Sequence, residues 1–85
     1  MNNMVDKNIS FQILSFGPLV ETFGERQTEH NVKEGTTIRE FILSVDMEKW
    51  IGFGLSVAKN GERCSLDDII GEDDEIALLP PMSGG

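Results

Sequence analysis

Glu75-Ile76-Ala77-Leu78-Leu79-Pro80-Pro81-Met82-Ser83-Gly84-Gly85 sets the architecture expected of this chain. Residues 76–79 are apolar and suit a strand. Pro80 and Pro81 have no backbone N–H, so sheet pairing must stop there. Their fixed φ favours an extended polyproline path that carries the chain outward. Ser83, Gly84 and Gly85 have little bulk, and glycine without a Cβ fits a channel that larger residues cannot enter. The segment 80–85 therefore reads as an extended, flexible arm, with the carboxylate of Gly85 as the expected reactive group and Gly84 as its slim neighbour. A frayed terminus without any role has the same composition. The ordered succession of acidic turn, apolar strand, paired prolines and small residues argues for the arm.

Working back from this strand, residues 9–16 alternate Ile9, Phe11 and Ile13 with Ser10 and Gln12, the period of a half-buried strand. Gly17-Pro18 breaks it, and residues 19–24 read as a connecting turn. Residues 26–32 form a more polar strand, suited to a sheet edge. Thr37 and Glu40 match a capping box. Ile38, Phe41, Ile42 and Val45 fall on one helical face, which predicts a helix over 37–47. Residues 47–54, with Trp50, Ile51 and Phe53, read as a loop that covers the core or belongs to a docking patch. Residues 55–59 predict a strand, Asn60-Gly61 a tight hairpin and residues 62–64 its return. Residues 66–70 fit a single helical turn placing Leu66, Ile69 and Ile70 under the sheet, before the acidic turn 71–74. One helix against one face of a mixed sheet buries both apolar surfaces, and the most apolar strands, first and last, belong side by side in its centre. The expected class is α+β: a β-grasp, ubiquitin-like roll over residues 9–79, preceded by a disordered segment 1–8.

With 85 residues the chain is one domain with a modest core, too small to hold both a scaffold and a large substrate cleft. A carrier or small subunit suits it better than an independent enzyme. Net charge is −8, from 15 acidic and 7 basic residues. That balance disfavours nucleic acid; it suits either a partner with a basic surface or solubility alone. The single cysteine, Cys64, excludes an internal disulfide and a four-cysteine metal or iron–sulfur site. A lone thiol, a polar N-terminus and the absence of a membrane span fit a cytoplasmic location.

The pattern Ile13-Leu-Ser-Phe16-Gly-Pro-Leu19, Glu34-Gly-Thr-Thr-Ile38, Val57-Ala-Lys-Asn60-Gly61 and Gly71 through Pro80-Pro81 to Gly84-Gly85 resembles the MoaD/ThiS sulfur-carrier family, most of all the small subunit of molybdopterin synthase. The resemblance implies a β-grasp fold and a C-terminal glycine that an ATP-dependent activating enzyme adenylates. A sulfur donor then displaces AMP to leave a thiocarboxylate. It further implies a large catalytic subunit that accepts the charged arm and passes sulfur to a pyranopterin precursor of the molybdenum or tungsten cofactor. No bound cofactor or metal is implied; ATP and the sulfur donor serve the activating enzyme. Carried onto this chain, Gly85 bears the sulfur, and Leu79, Pro80, Pro81, Met82 and Ser83, with Phe16, are the expected partner-binding residues. Thiamine-type carriers more often lack the paired prolines, which tilts the choice toward the pterin branch.

The chemistry agrees with the residues. A carboxylate resists nucleophilic attack because attack adds charge to an anion, and adenylation removes that obstacle by supplying a leaving group. The thiocarboxylate is ionised at neutral pH and needs no local base, so the chain needs no triad. His30 reads as a partnerless surface residue of an edge strand, Asp67 and Asp68 as capping and solvating carboxylates, and Cys64 as a half-buried packing residue. Two other functions share these features: a ubiquitin-like modifier in which a lysine takes the activated glycine, and a non-catalytic β-grasp binding module.

Overall fold

The computed structural model describes residues 7–81. Five strands, β1 (Asn8–Ser15), β2 (Gln27–Lys33), β3 (Ser56–Lys59), β4 (Glu62–Cys64) and β5 (Glu75–Leu79), form one mixed sheet in the order β2-β1-β5-β3-β4. Three helices, α1 (Val20–Phe23), α2 (Ile38–Ser44) and α3 (Glu48–Phe53), lie in the connections. β1 and β5 run parallel in the centre, with Gln12 opposite Glu75 and Ser15 opposite Leu78. β2 is antiparallel to β1, and β3 is antiparallel to both β4 and β5. This is the β-grasp roll expected from the alternating first strand and the apolar last one.

Alternation decides what each strand buries. Ile9, Phe11, Ile13 and Ser15 of β1 are buried while their neighbours are only partly covered. Ile76 and Leu78 do the same in β5. α2 lays Ile38, Phe41 and Ile42 onto them, each contributing about 1.5–3 kcal/mol by leaving water. Thr37 and Glu40 complete the capping box: Thr37 Oγ1 accepts from Glu40 N at 3.1 Å, and Glu40 Oε1 accepts from Thr37 N at 3.0 Å. Buried Ser15 is satisfied by the turn it enters, donating its Oγ to Glu25 O at 3.3 Å and its N–H to Arg26 O at 2.8 Å.

Several local expectations change. Asn8 already pairs with Lys33 in β1, and Lys7 O accepts from Glu34 N at 2.7 Å, so order begins inside the segment expected to be disordered. Residues 19–24, expected as a connecting turn, hold the end of a 3₁₀ turn (Gly17–Leu19) and α1, which stops at Gly24. α2 stops at Ser44, short of Met47, because Asp46 takes φ +60. The expected loop 47–54 contains α3, which ends where Gly54, at φ +105, donates to Ile51 O at 3.1 Å while Leu55 N donates to Trp50 O at 3.0 Å, a Schellman closure. Residues 66–70 do not form a helical turn. Their carbonyls serve α2 instead: Leu66 O accepts from Arg39 N at 2.8 Å and Asp68 O from Ile38 N at 3.0 Å. They satisfy donors that every helix start leaves open. Ile70 is buried as expected, Leu66 packs half-buried on the core, and Ile69 stays 54% exposed.

Candidate functional site

The helices cover one face of the sheet; among the described residues none covers the other. That open face divides along the strands. Toward the start of β5 it is polar: Ser10 Oγ donates to Asn31 Oδ1 at 2.7 Å and Gln27 Nε2 donates to Gln12 Oε1 at 3.3 Å. Toward the end of β5 it turns apolar. Leu14 is opposite Ala77 across the parallel pair, Ala58 is opposite Ala77 from the other side, and Leu79 pairs with Ser56. Leu79 alternates with buried Leu78 and so points to this open face, half-buried. Phe16 follows β1 in extended backbone (φ −137, ψ 154), also half-buried. It stands one step beyond the Ser15–Leu78 pair, beside Leu79. Phe16 and Leu79 thus each follow one member of the last pair of the central parallel ladder. Leu14 and Ala77 belong to the same surface and were missed. The available signal was an apolar Leu14 at an outward position of β1, where Ser10 and Gln12 are polar.

Pro80 and Pro81 leave the sheet half-buried. Gly17 faces Pro80 and Gly54 faces Pro81: a Cβ built on Gly17 would meet Pro80 Cγ at 3.7 Å, and one on Gly54 would meet Pro81 Cβ at 3.5 Å. Met82, Ser83, Gly84 and Gly85, expected as the arm and its reactive end, lie outside the described residues.

The opposite end of β5 is built from directional bonds. Asp74 Oδ2 accepts from Gly71 N at 2.7 Å and Asp74 Oδ1 from Asn60 Nδ2 at 2.9 Å, while Asn60 Oδ1 accepts from Glu75 N at 2.9 Å. Asn60 N donates to Glu75 O at 2.8 Å. Asn60 adopts φ +52 and Gly61 φ +90, the hairpin geometry that Asn-Gly favours. The hairpin is thus also a clasp that fixes where β5 begins.

The remaining polar candidates are structural. His30 is not partnerless. It turns from the edge strand toward the helices, half-buried, with ring centroids 5.9 Å from Phe11, 5.4 Å from Phe23 and 5.2 Å from Phe41, and its Nε2 lies 2.7 Å from Thr28 Oγ1. Burial holds its imidazole below the ordinary value of 6.5. Cys64 pairs with Val57 at the β3–β4 ladder; burial, then the carboxylate of Asp68, pushes its thiol up, opposite to what a nucleophile needs. Asp67 bonds Arg39 through both oxygens, at 2.9 and 3.3 Å. That bond lowers the Asp67 carboxyl and raises the Arg39 guanidinium. The pair is solvent-exposed, so it orients the loop more than it stabilises the fold. Among the described residues no three His, Cys, Asp or Glu side chains gather as a metal site, the surface holds no cavity, and no helix is long and apolar enough to cross a membrane.

An open sheet with its apolar end at the exit of a central last strand defines a ubiquitin-like β-grasp domain. The ThiS family model matches residues 13–85, and the chain belongs to the ThiS family. Among curated protein sequences none matches it. Among solved structures it is similar to small archaeal modifier protein 1 (SAMP1) from Haloferax volcanii, at 27% identity over 89% of this chain and 99% of that one, TM-score 0.68. It is similar in fold to a putative molybdopterin converting factor subunit 1 from Pyrococcus furiosus, at 20% identity over 87% and 99%, TM-score 0.71. It is also similar in fold to subunits of molybdopterin-converting factor from Helicobacter pylori, solved as a complex of subunits 1 and 2, at 22% identity over 91% and 100%, TM-score 0.56.

Proposed function

We propose that this chain is a sulfur carrier whose Gly85 carboxylate is adenylated by an activating enzyme and converted to a thiocarboxylate. As the small subunit of a molybdopterin synthase, it would donate that sulfur to a pyranopterin precursor. The observation that supports this most is the match to the ThiS family through residue 85, on a body whose uncovered apolar surface adjoins the root of the same segment. In this reading Phe16, Leu79, Pro80 and Pro81, joined by Met82 and Ser83, meet the activating enzyme and then the large subunit. ATP and the sulfur donor belong to the activating step, and the chain itself holds no cofactor. The Helicobacter pylori relative, solved with its second subunit, supports a large-subunit partner.

The reaction asks for no general base on this chain. Activation turns a resistant carboxylate into a mixed anhydride with a good leaving group. Sulfur attack releases AMP, and the resulting thiocarboxylate is the donor. A second reading, protein conjugation through the same activated glycine, is favoured by the likeness to small archaeal modifier protein 1. Intact mass spectrometry of the protein from its own cell separates the two. A gain equal to one oxygen-for-sulfur exchange supports the carrier. Unmodified chain together with isopeptide-linked Gly85 in larger proteins replaces it with the modifier.

A further inference from the structure

Gly17 and Gly54 come from distant parts of the sequence and meet at one place. Gly17 opens the 3₁₀ turn after β1 at φ +56, and Gly54 closes α3 at φ +105. Each faces one ring of the proline pair: a Cβ added at Gly17 would reach ordinary contact with Pro80, and one added at Gly54 with Pro81. Strand pairing explains the meeting: Ser15 is paired with Leu78 and Ser56 with Leu79, so the chains flanking β5 reach the prolines just as they turn away. The prolines offer no N–H to extend either ladder, so beyond Leu79 the path of the chain is bounded by the two glycine turns that face the rings. Gly24 (φ +85) and Gly35 (φ +96) have the same left-handed backbone, yet a Cβ on either meets nothing within 4 Å.

We infer that Gly17 and Gly54 are positioning residues: together they form a collar that fixes the direction in which the chain leaves Pro81, and so the delivery of the following segment into a partner. This rests on the reading of Gly85 as the activated group. An L-residue at a left-handed position is strained and relaxes by moving the backbone. At Gly17 and Gly54 that movement displaces the turns that face the proline rings; at Gly24 and Gly35 it moves only a turn with nothing beside it. Asparagine accepts the left-handed conformation better than alanine, so it preserves the collar.

The test uses the full chain carrying Gly17→Ala, Gly54→Ala, the pair of changes, Gly54→Asn, and the controls Gly24→Ala and Gly35→Ala. Two readouts are taken. One is the nuclear Overhauser contact of Gly17 with Pro80 and of residue 54 with Pro81. The other is ATP–pyrophosphate exchange, with labelled pyrophosphate, by the adenylating enzyme of the same cell, resolved into kcat and KM. The double variant is expected to lose the contacts and about tenfold in kcat, with KM within about twofold because the open sheet face is unchanged. Gly54→Asn recovers most of that kcat. Gly24→Ala and Gly35→Ala lower the melting temperature to a similar degree while leaving kcat and contacts as they were. Unchanged kcat in the double variant after the contacts are lost overturns the collar and leaves the carrier reading standing. An equal fall in kcat for the controls also overturns it, since the effect is then one of stability. A wild-type chain that supports no exchange overturns the carrier reading, and this role with it.

Discussion

β5 begins and ends in two different kinds of surroundings. At its start, Asn60, Asp74 and Glu75 lock it with directional bonds of 2.8–2.9 Å. At its end, beyond the Ser15–Leu78 pair, Pro80 and Pro81 face Gly17 and Gly54 with no donor left on the prolines. Hydrogen bonds specify a register, and a slip at the first end would turn every core residue of β5 outward. Apolar contact with glycine specifies only a path, and it leaves a partner free to cover the same atoms. One end is therefore fixed by internal bonds, and the other is the end that the proposed carrier role would present. Substitutions at the first should cost stability, and those at the second should cost transfer.

The sharpest division comes from the segment after Pro81. Removal of Gly84 and Gly85 should abolish sulfur transfer, and Gly85→Ala should slow it by about a hundredfold through misplacement of the reacting group. Neither should move the melting temperature by more than about 1 °C; a drop of several degrees would erase the distinction between the two ends. Leu79→Asp comes next. A charge placed at the centre of an apolar docking surface should weaken partner binding by about thirtyfold, or about 2 kcal/mol, as read by calorimetric titration, with circular dichroism unchanged. Unaltered affinity would take the docking role away from this face.

At the other end, Asp74→Ala removes the acceptor for both Gly71 N and Asn60 Nδ2. Hydrogen bonds to a charged group are worth about 1.5–3 kcal/mol, so urea denaturation should show a loss of about 2 kcal/mol. The rate of sulfur transfer, measured well below the melting temperature, should stay the same. A slowed rate would mean that the two ends communicate.

The smallest effect belongs to His30. Burial disfavours its charged form, so the unfolded chain takes up a proton before the folded one as pH falls. The stability gained from keeping the ring neutral is full above the unfolded value of about 6.5. It decreases as pH drops below that and levels off beneath the folded value. Thermal denaturation of wild type and His30→Phe from pH 8 to pH 5 should show the wild type falling more steeply below about 6.5. Parallel curves would remove His30 as the source.

These contrasts were unequally visible in the amino-acid order. The strand alternation of Ile9, Phe11 and Ile13, the Thr37–Glu40 capping box and the Asn60-Gly61 turn each carry a local signature, and the roll follows from them. α3 has six residues, too few for a helical period to stand out, and its ending depends on a left-handed Gly54 that sequence alone leaves ambiguous. The turn 66–70 misleads for a different reason: its carbonyls are committed to the start of α2, a non-local demand. His30 looked idle because polar neighbours on β2 hide the aromatic cluster that the sheet register supplies across from it. Of the candidate surface, Phe16 and Leu79 were legible from their place at the ends of apolar strands. Leu14, Ala77 and the glycine contacts depend on which strands pair, and pairing emerges only once the sheet is assembled.

Because β5 is flanked by β1 on one side and β3 on the other, the middle of the sheet is also its mechanical spine. The bonds to β3 lie straight across the strands of an antiparallel pair and those to β1 slant across a parallel one, so a pull applied beyond Pro81 along the strand acts in shear and loads the rungs of both ladders together instead of peeling them one at a time. A machine that grips this end and tugs meets the resistance of the whole sheet.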